Sequence, residues 1–281
     1  MYEAFFGFKE KPFSIIPDPS FLYPSSKHRA ALDLLEYGMM NQAGFNVITG
    51  EIGTGKTTLI RHILNRMNRN VTVGLISNTH RSFGELLQWI LYAYGLEYKG
   101  MEKVEMFQAF MEFLINEYAN NRRTVLIVDE AQNMSPETLE ELRMLSNVNA
   151  DKSQVLQVVL VGQPQLRETL TSPELEQFAQ RISVDYHLWP LSKEETHGYI
   201  RHRILHAGCI NPELFNDAAC DVVYAQTNGT PRLINLLCDT ILVYAYAVQR
   251  PTVDSKLAEE AARDKQKGGL FQRPQKSIKA V

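Results

Sequence analysis

Two short strings in this 281-residue chain carry residue types that chemistry needs at fixed spacing. The first is Gly50-Glu51-Ile52-Gly53-Thr54-Gly55-Lys56-Thr57, which fits GxxxxGK[ST]. Its glycines let backbone N–H groups turn inward around phosphate oxygens, and a helix N-terminus behind them adds partial positive charge. Lys56 can reach the β- and γ-phosphates, and the Thr57 hydroxyl is suited to Mg²⁺; the binding surface is expected to run on to Thr58. The bland alternative is an ordinary glycine turn, but a chance match in a chain of this size is on the order of 1%. The second string is Val125-Leu126-Ile127-Val128-Asp129-Glu130. Four apolar residues put Asp129 at the end of a buried strand, where it can hold Mg²⁺ through water. Glu130 can then deprotonate the attacking water. Alone, this second string is no more than a strand end with two acids. Together the two imply ATP binding with Mg²⁺ and hydrolysis to ADP and phosphate.

Three further residues are weaker candidates. Gln163 follows the apolar run Val155–Val161 and Gly162, where a polar side chain would lie between the acids and the γ-phosphate; a plain strand-end turn is as good a reading. Arg181 precedes the last apolar run, where an arginine can supply positive charge to a neighbouring subunit's phosphate; a surface salt bridge is the commoner meaning of such a residue. Arg232 sits in Asn228-Gly229-Thr230-Pro231-Arg232, a helix start with proline in its first turn.

The elements that must position these residues alternate. Apolar runs at Phe45–Thr49, Val71–Ser77, Thr124–Val128, Val155–Val161 and Ile182–Leu188 predict five strands of a parallel sheet covered on both faces. Between them lie a helix capped by Ser25 or Ser26 and running to about Gln42, one after the glycine loop to about Met67, helical patterns near Ser82–Tyr94 and Lys103–Tyr118, and a helix opened by Ser135-Pro136. After about Pro190 the strands stop, and helices are expected over Ser192–Ala207, Pro212–Gln226, Pro231–Val248 and Val253–Arg263. The expected organisation is an N-terminal Phe/Pro-rich segment (1–25), an α/β nucleotide-binding domain (26–190), a C-terminal helical lid (191–264) and a flexible basic tail (265–281).

Composition narrows the class further. Hydrophobic residues make up 44% and charged residues 22%, a globular balance. A net charge of −3 argues against a chain that binds nucleic acid through overall basicity. The three cysteines, Cys209, Cys220 and Cys238, form no CxxC pair, which speaks against a disulfide scaffold and for a reducing compartment. The N-terminus carries acids and no long apolar run, and no stretch approaches the ~18 apolar residues of a membrane helix, so a cytoplasmic location is expected. Recruitment to the inner membrane by a partner stays open. His202, His206 and Cys209 have zinc-like spacing but lack an evident fourth ligand. Trp89, Tyr92, Tyr94 and Tyr98 suit packing better than base stacking.

To about Arg263 the chain resembles the AAA+ ATPases of the general secretion pathway protein A (ExeA) type. The likeness is carried by Phe6-Gly7-Phe8, Pro12-Phe13, Pro17-Asp18-Pro19, Phe21-Leu22-Tyr23 and His28. It continues in Gly50–Thr57, Asp129-Glu130-Ala131-Gln132, Glu141–Asn147, Val161–Pro164 and Gly229–Arg232. Glu140–Asn147 and Ser172–Gln177 look closest to a subgroup at exopolysaccharide and PEP-CTERM (exosortase) loci, and a pilus-biogenesis relative is similar. The resemblance implies an AAA+ module, with Arg181 as an arginine finger and Arg232 as a second sensor. It also implies a ring or other self-association across the finger interface, an adenine pocket walled by Phe13, Ile15 and Pro17, and a partner in envelope assembly or at the inner membrane. Secretion-branch members carry a membrane span and a peptidoglycan-binding region after the ATPase, where this chain has its basic tail. A second class of reading is a DNA-associated ATPase of the transposition-helper or replication-initiator type, which shares the core.

Overall fold

Each of the five apolar runs becomes a strand, and the five make one parallel sheet. The computed structural model describes residues 1–41, 43–67, 70–77, 85–150 and 153–267. Its strands are β1 (Phe45–Gly50), β2 (Val71–Ile76), β3 (Arg123–Val128), the two-residue antiparallel pair β4 (Asn149–Ala150) and β5 (Ser153–Gln154), β6 (Leu156–Gly162) and β7 (Ile182–Leu188). The sheet runs β2-β3-β6-β1-β7. Strands β1 and β6 are buried along their whole length, as a sheet covered on both faces demands. The short β4–β5 pair has no sequence signal and was not expected.

The helices among the described residues are α1 (Glu3–Phe6), α2 (Ser26–Met40), α3 (Lys56–Arg66), α4 (Leu86–Ala93), α5 (Lys103–Ala119), α6 (Pro136–Leu145), α7 (Pro164–Leu170), α8 (Glu176–Ala179), α9 (Lys193–His206), α10 (Asp217–Thr227), α11 (Pro231–Ala247) and α12 (Ser255–Lys267). None is long and apolar enough to cross a membrane. The expected start near Ser82 falls in residues 78–84, outside those described. Helix α10 begins at Asp217 rather than Pro212. Leu214 accepts a backbone bond from Val253, Asn216 donates one to Val253, and the Asn216 side chain then caps the helix by accepting from Ala219 at 2.8 Å. Helix α12 runs to Lys267, past the expected stop. Ala258, Ala261 and Ala262 are buried, and Lys265 donates to Thr240 Oγ1 at 2.7 Å, so Lys265 is held against α11 instead of starting a tail. The rest of the expected tail, 268–281, lies outside the described residues.

The chain divides into two units. A sheet unit comprises Arg29–Ile52 and His62–Leu188; a helical unit comprises Met1–His28, Gly53–Arg61 and Trp189–Val281, described to Lys267. In the sheet unit α4 and α5 pack on β2 and β3, and Tyr94 lies 4.9 Å from Phe113 and 6.0 Å from Phe110. Its core runs through Phe45, Leu126, Leu160 and Phe178.

The helical unit is built round α9–α12, and the N-terminal segment supplies part of its core. Tyr2, Phe6, Phe8, Phe13 and Phe21 join Ile200, Phe215, Leu237 and Leu242 there. Burying each such ring stabilises the unit by roughly 1.5–3 kcal/mol. Phe13, expected at an adenine pocket, is 2% exposed and meets Phe215 edge-on at 6.0 Å, so its ring packs in this core. Phe13→Ala is therefore expected to cost about 3–5 kcal/mol of stability. Ile15→Ala, at a position 50% exposed, should stay within about 0.5 kcal/mol of wild type. Chemical denaturation of the two variants checks this contrast.

Candidate active site

In the helical unit, the phosphate-type loop is shaped by two left-handed glycines, Gly53 at φ 82° and Gly55 at φ 102°. Only glycine adopts that backbone without strain, and here the space is also taken. A Cβ on Gly53 would stand 2.6 Å from Arg232 Cβ, and one on Gly55 would stand 3.1 Å from His28 Nε2. Helix α3 starts at Lys56, so the N–H groups of its first turn have no helical acceptor and present a positive helix end. Thr54 and Lys56 are buried, while Thr57 and Thr58 are half-buried. This geometry fits a phosphate chain in its backbone conformation as well as in its residue types.

Two contacts hold the loop from outside. The backbone N–H of Arg232, one of the acceptorless donors at the start of α11, donates to Gly53 O at 3.1 Å. The Arg232 side chain is exposed. His28 sits 3.2 Å from Thr54 O through Nε2 and 2.8 Å from Ser25 Oγ through Nδ1. A carbonyl can only accept, so Nε2 carries the proton and Nδ1 accepts from the serine. Burial holds the His28 imidazole below the ordinary histidine value and keeps it neutral.

The Pro-rich segment is fastened through its carbonyls. Arg203 donates to Pro12 O at 2.5 Å and to Ser14 O at 3.0 Å, with its guanidinium 4.4 Å over the Phe21 ring. Asn235 also reaches Ser14 O, and Arg61 donates to Pro17 O at 2.9 Å. With the backbone held this way, Ile15 and Ile16 point outward and Pro17 is half-buried. Of the three expected pocket residues, Ile15 and Pro17 stand at the surface and Phe13 does not.

In the sheet unit, parallel strands bring Gly50, Asp129 and Gln163 to the same carboxyl edge. Thr49 is level with Gly162, and Val128 with Leu160. Strand β6 lies between β1 and β3, so Gln163 stands between the strand that ends at Gly50 and the one that leads to Asp129. Ligands of open α/β sheets bind at this edge. Asp129 is buried; its N–H donates to Ile76 O at 2.8 Å, and its Oδ1 accepts the Glu130 N–H at 2.9 Å. Glu130 is left-handed, at φ 54° and ψ 34°, which costs a non-glycine residue on the order of 1–3 kcal/mol. Its Oε2 accepts from Gln132 Nε2 at 2.6 Å and from Gln163 Nε2 at 3.3 Å. Thus Gln163 is placed against Glu130. Gln132, quoted in the sequence only as part of a string, is placed there too.

Arg181 lies at the opposite edge. Strand β7 pairs with β1 so that Ile182 is level with Phe45 and Leu188 with Gly50. At ~3.3 Å per residue, Arg181 is about 20 Å along the sheet from Gly50, farther than an arginine reaches. Its guanidinium donates to Asn147 Oδ1. Beside it an open cavity of about 610 Å³ is lined by Arg143, Glu176, Gln177, Gln180 and Arg181. Arg143 is bound through two nitrogens to Glu140, whose carboxyl it holds below the usual range. No group of three or more His, Cys, Asp or Glu residues suited to a metal ion occurs among the described residues. His202 and His206 stack on each other at 5.9 Å, and Cys209 is buried.

A family model described as an AAA domain matches residues 39–170. Over 248 residues the chain is 42% identical to general secretion pathway protein A of Aeromonas hydrophila, a match that covers 88% of this chain and 45% of that protein. The chain thus spans less than half the length of that relative. Among solved structures it is similar to the ORC2 protein of Aeropyrum pernix in its ADPNP-ADP complexes, with a TM-score of 0.66 and 19% identity over 92% of this chain and 72% of the other. It is similar also to the RuvB Holliday junction branch migration motor of Thermotoga maritima, with a TM-score of 0.55 and 17% identity over 85% and 69% of the two chains. At these identities the structures show the fold, which is that of AAA+ P-loop ATPases. Over the matched length the chain is related to part of general secretion pathway protein A, and its residues 39–170 match the AAA domain.

His28 gives this site a pH signature. A histidine whose folded pKa is depressed takes up its proton more readily in the unfolded chain, so its protonation favours unfolding. Stability should hold above about pH 6.5 and fall as the pH drops below it. His202, also depressed by burial, adds to the same slope. His28→Gln is expected to flatten the stability–pH curve between pH 7.5 and 5.5 without abolishing its slope, as read by denaturation at several pH values.

Proposed function

We propose that the chain binds ATP with Mg²⁺ and hydrolyses it to ADP and phosphate. The observation that carries this reading is the Gly50–Thr57 loop, with Gly53 and Gly55 left-handed and its last residues opening α3. Backbone N–H groups of Gly53–Thr57 and the Lys56 ammonium bind the β- and γ-phosphates. Thr57 and Asp129 offer a hydroxyl and a carboxylate, the hard oxygen donors that suit Mg²⁺. When bound, the ion would offset phosphate charge. Glu130 takes a proton from water as its oxygen attacks the γ-phosphorus, and the bond to the bridging oxygen breaks with ADP leaving. Gln163 sets the orientation of the Glu130 carboxylate. Ile15 and Pro17 offer an apolar surface beside the adenine.

Arg181 acts on a second copy of the chain. Its place at the edge of the sheet opposite Gly50 supports this reading, in which its charge serves a neighbour's γ-phosphate and the working form is a ring or other oligomer. Arg232 acts from the start of α11, where its N–H bond to Gly53 O makes that helix responsive to the state of the loop. The process served is secretion or assembly of a cell-envelope component, by analogy with the relative's name. The wording of Glu140–Asn147 favours an exopolysaccharide or exosortase locus, and a pilus-type role is the neighbouring case. A cytoplasmic location with recruitment to the inner membrane by a protein partner fits this role.

Lys56→Ala should abolish ATP binding, and Arg181→Ala should lower kcat by roughly 10³-fold while ATP still binds. Mixed together, the two inactive variants are expected to regain activity, since one supplies the finger and the other the loop. A mixture that stays inactive while the wild type turns over would exclude Arg181 as a group acting across an interface. Binding to duplex DNA at low salt, with ATP turnover that depends on it, would instead favour the DNA-associated class.

A further inference from the structure

Gln132 lies two residues after Glu130, in the 3-10 turn Ala131–Asn133, and both ends of its amide are engaged. Nε2 donates to Glu130 Oε2 at 2.6 Å, and Oε1 accepts the backbone N–H of Gln163 at 3.0 Å. A peptide N–H only donates and an ionised carboxylate only accepts. The amide therefore has one allowed orientation; turned over, it would face a donor with a donor and an acceptor with an acceptor. The packing leaves room for this arrangement and little else. A Cβ on Gly162 would stand 2.9 Å from Gln132 Oε1 and 3.2 Å from Gln132 N. The left-handed backbone of Glu130 is not one that a glutamate prefers, so surrounding contacts must help to fix where its carboxylate points.

We propose that Gln132 is a positioning residue that ties the Glu130 carboxylate to the end of β6, so that a displacement at Gly162–Gln163 is passed to the base. Gln163 then contributes in two ways, through its side-chain amide on Glu130 and through its backbone N–H on Gln132. The proposal rests on the reading of Glu130 as the base for ATP hydrolysis.

The decisive variant is Gln132→Met, which keeps the length and loses both hydrogen bonds. With the full chain, Mg²⁺ and ATP, kcat should fall roughly 10- to 100-fold, the loss that a small misplacement of a reacting group brings. The dissociation constant for ATP should stay within about twofold. The proposal is overturned if kcat stays within about twofold of wild type, or if affinity falls in proportion to kcat. Should that variant fail to fold, Gln132→Glu carries the test. It keeps an acceptor for the Gln163 N–H but loses the donor to Glu130, so kcat should again fall roughly 10- to 100-fold with ATP affinity kept; a kcat within about twofold of wild type overturns the proposal. Glu130→Gln, run in parallel, separates the two ideas. If it hydrolyses ATP like the wild type, the assignment of Glu130 fails regardless of Gln132; if it is inactive and Gln132→Met is unaffected, only the role of Gln132 fails.

Discussion

A phosphate chain can be wrapped by backbone only where successive N–H groups turn toward one point, and between β1 and α3 that requires left-handed conformation at Gly53 and Gly55. The requirement spreads outward. No Cβ fits at Gly53 because α11 begins against it, and none fits easily at Gly55 because His28 lies there. The same two neighbours bond the loop's carbonyls, Arg232 at Gly53 and His28 at Thr54. Carbonyls held from outside leave the N–H groups to face the other way. Helix α11, the start of α2 and the N-terminal segment held by Arg203 and Arg61 thus all belong to the same unit as Gly53–Arg61.

At the sheet edge a second constraint operates. Glu130 adopts a backbone that costs free energy, and its carboxylate is held by side chains from two other positions. The order β3-β6-β1 makes this possible, since it brings Gln163 to the edge next to the turn that holds Gln132. A carboxylate whose direction depends on neighbours can be moved by them. Under the proposed function, that property would couple turnover to movement and give Gln163 a use that needs no direct contact with phosphate.

Much of this was legible in the sequence, for identifiable reasons. Strands buried on both faces must be apolar throughout, so β1, β3 and β6 declare themselves. The loop declares itself because its glycines and lysine are dictated by backbone geometry and charge. What stayed hidden has equally specific causes. Phe13 in a Phe/Pro-rich segment reads as packed, but nothing local says which surface it packs on. Pro212 looks like a first helical turn, yet the pairing of Leu214 and Asn216 with Val253 delays the helix to the cap at Asn216. Gln132 depends on a left-handed turn that no residue type announces. The Arg232 contact with the loop uses a backbone N–H, which is the same whatever the side chain.

The central claim is that this chain holds ATP on the Gly50–Thr57 loop and uses Glu130 to cleave it. The most direct measurement is the nucleotide retained by the Glu130→Gln variant after incubation with ATP and Mg²⁺ and rapid gel filtration. About one intact ATP per chain is predicted, with wild type under the same treatment retaining ADP or none. A variant that emerges empty, or carrying ADP at the wild-type rate of formation, would contradict the account.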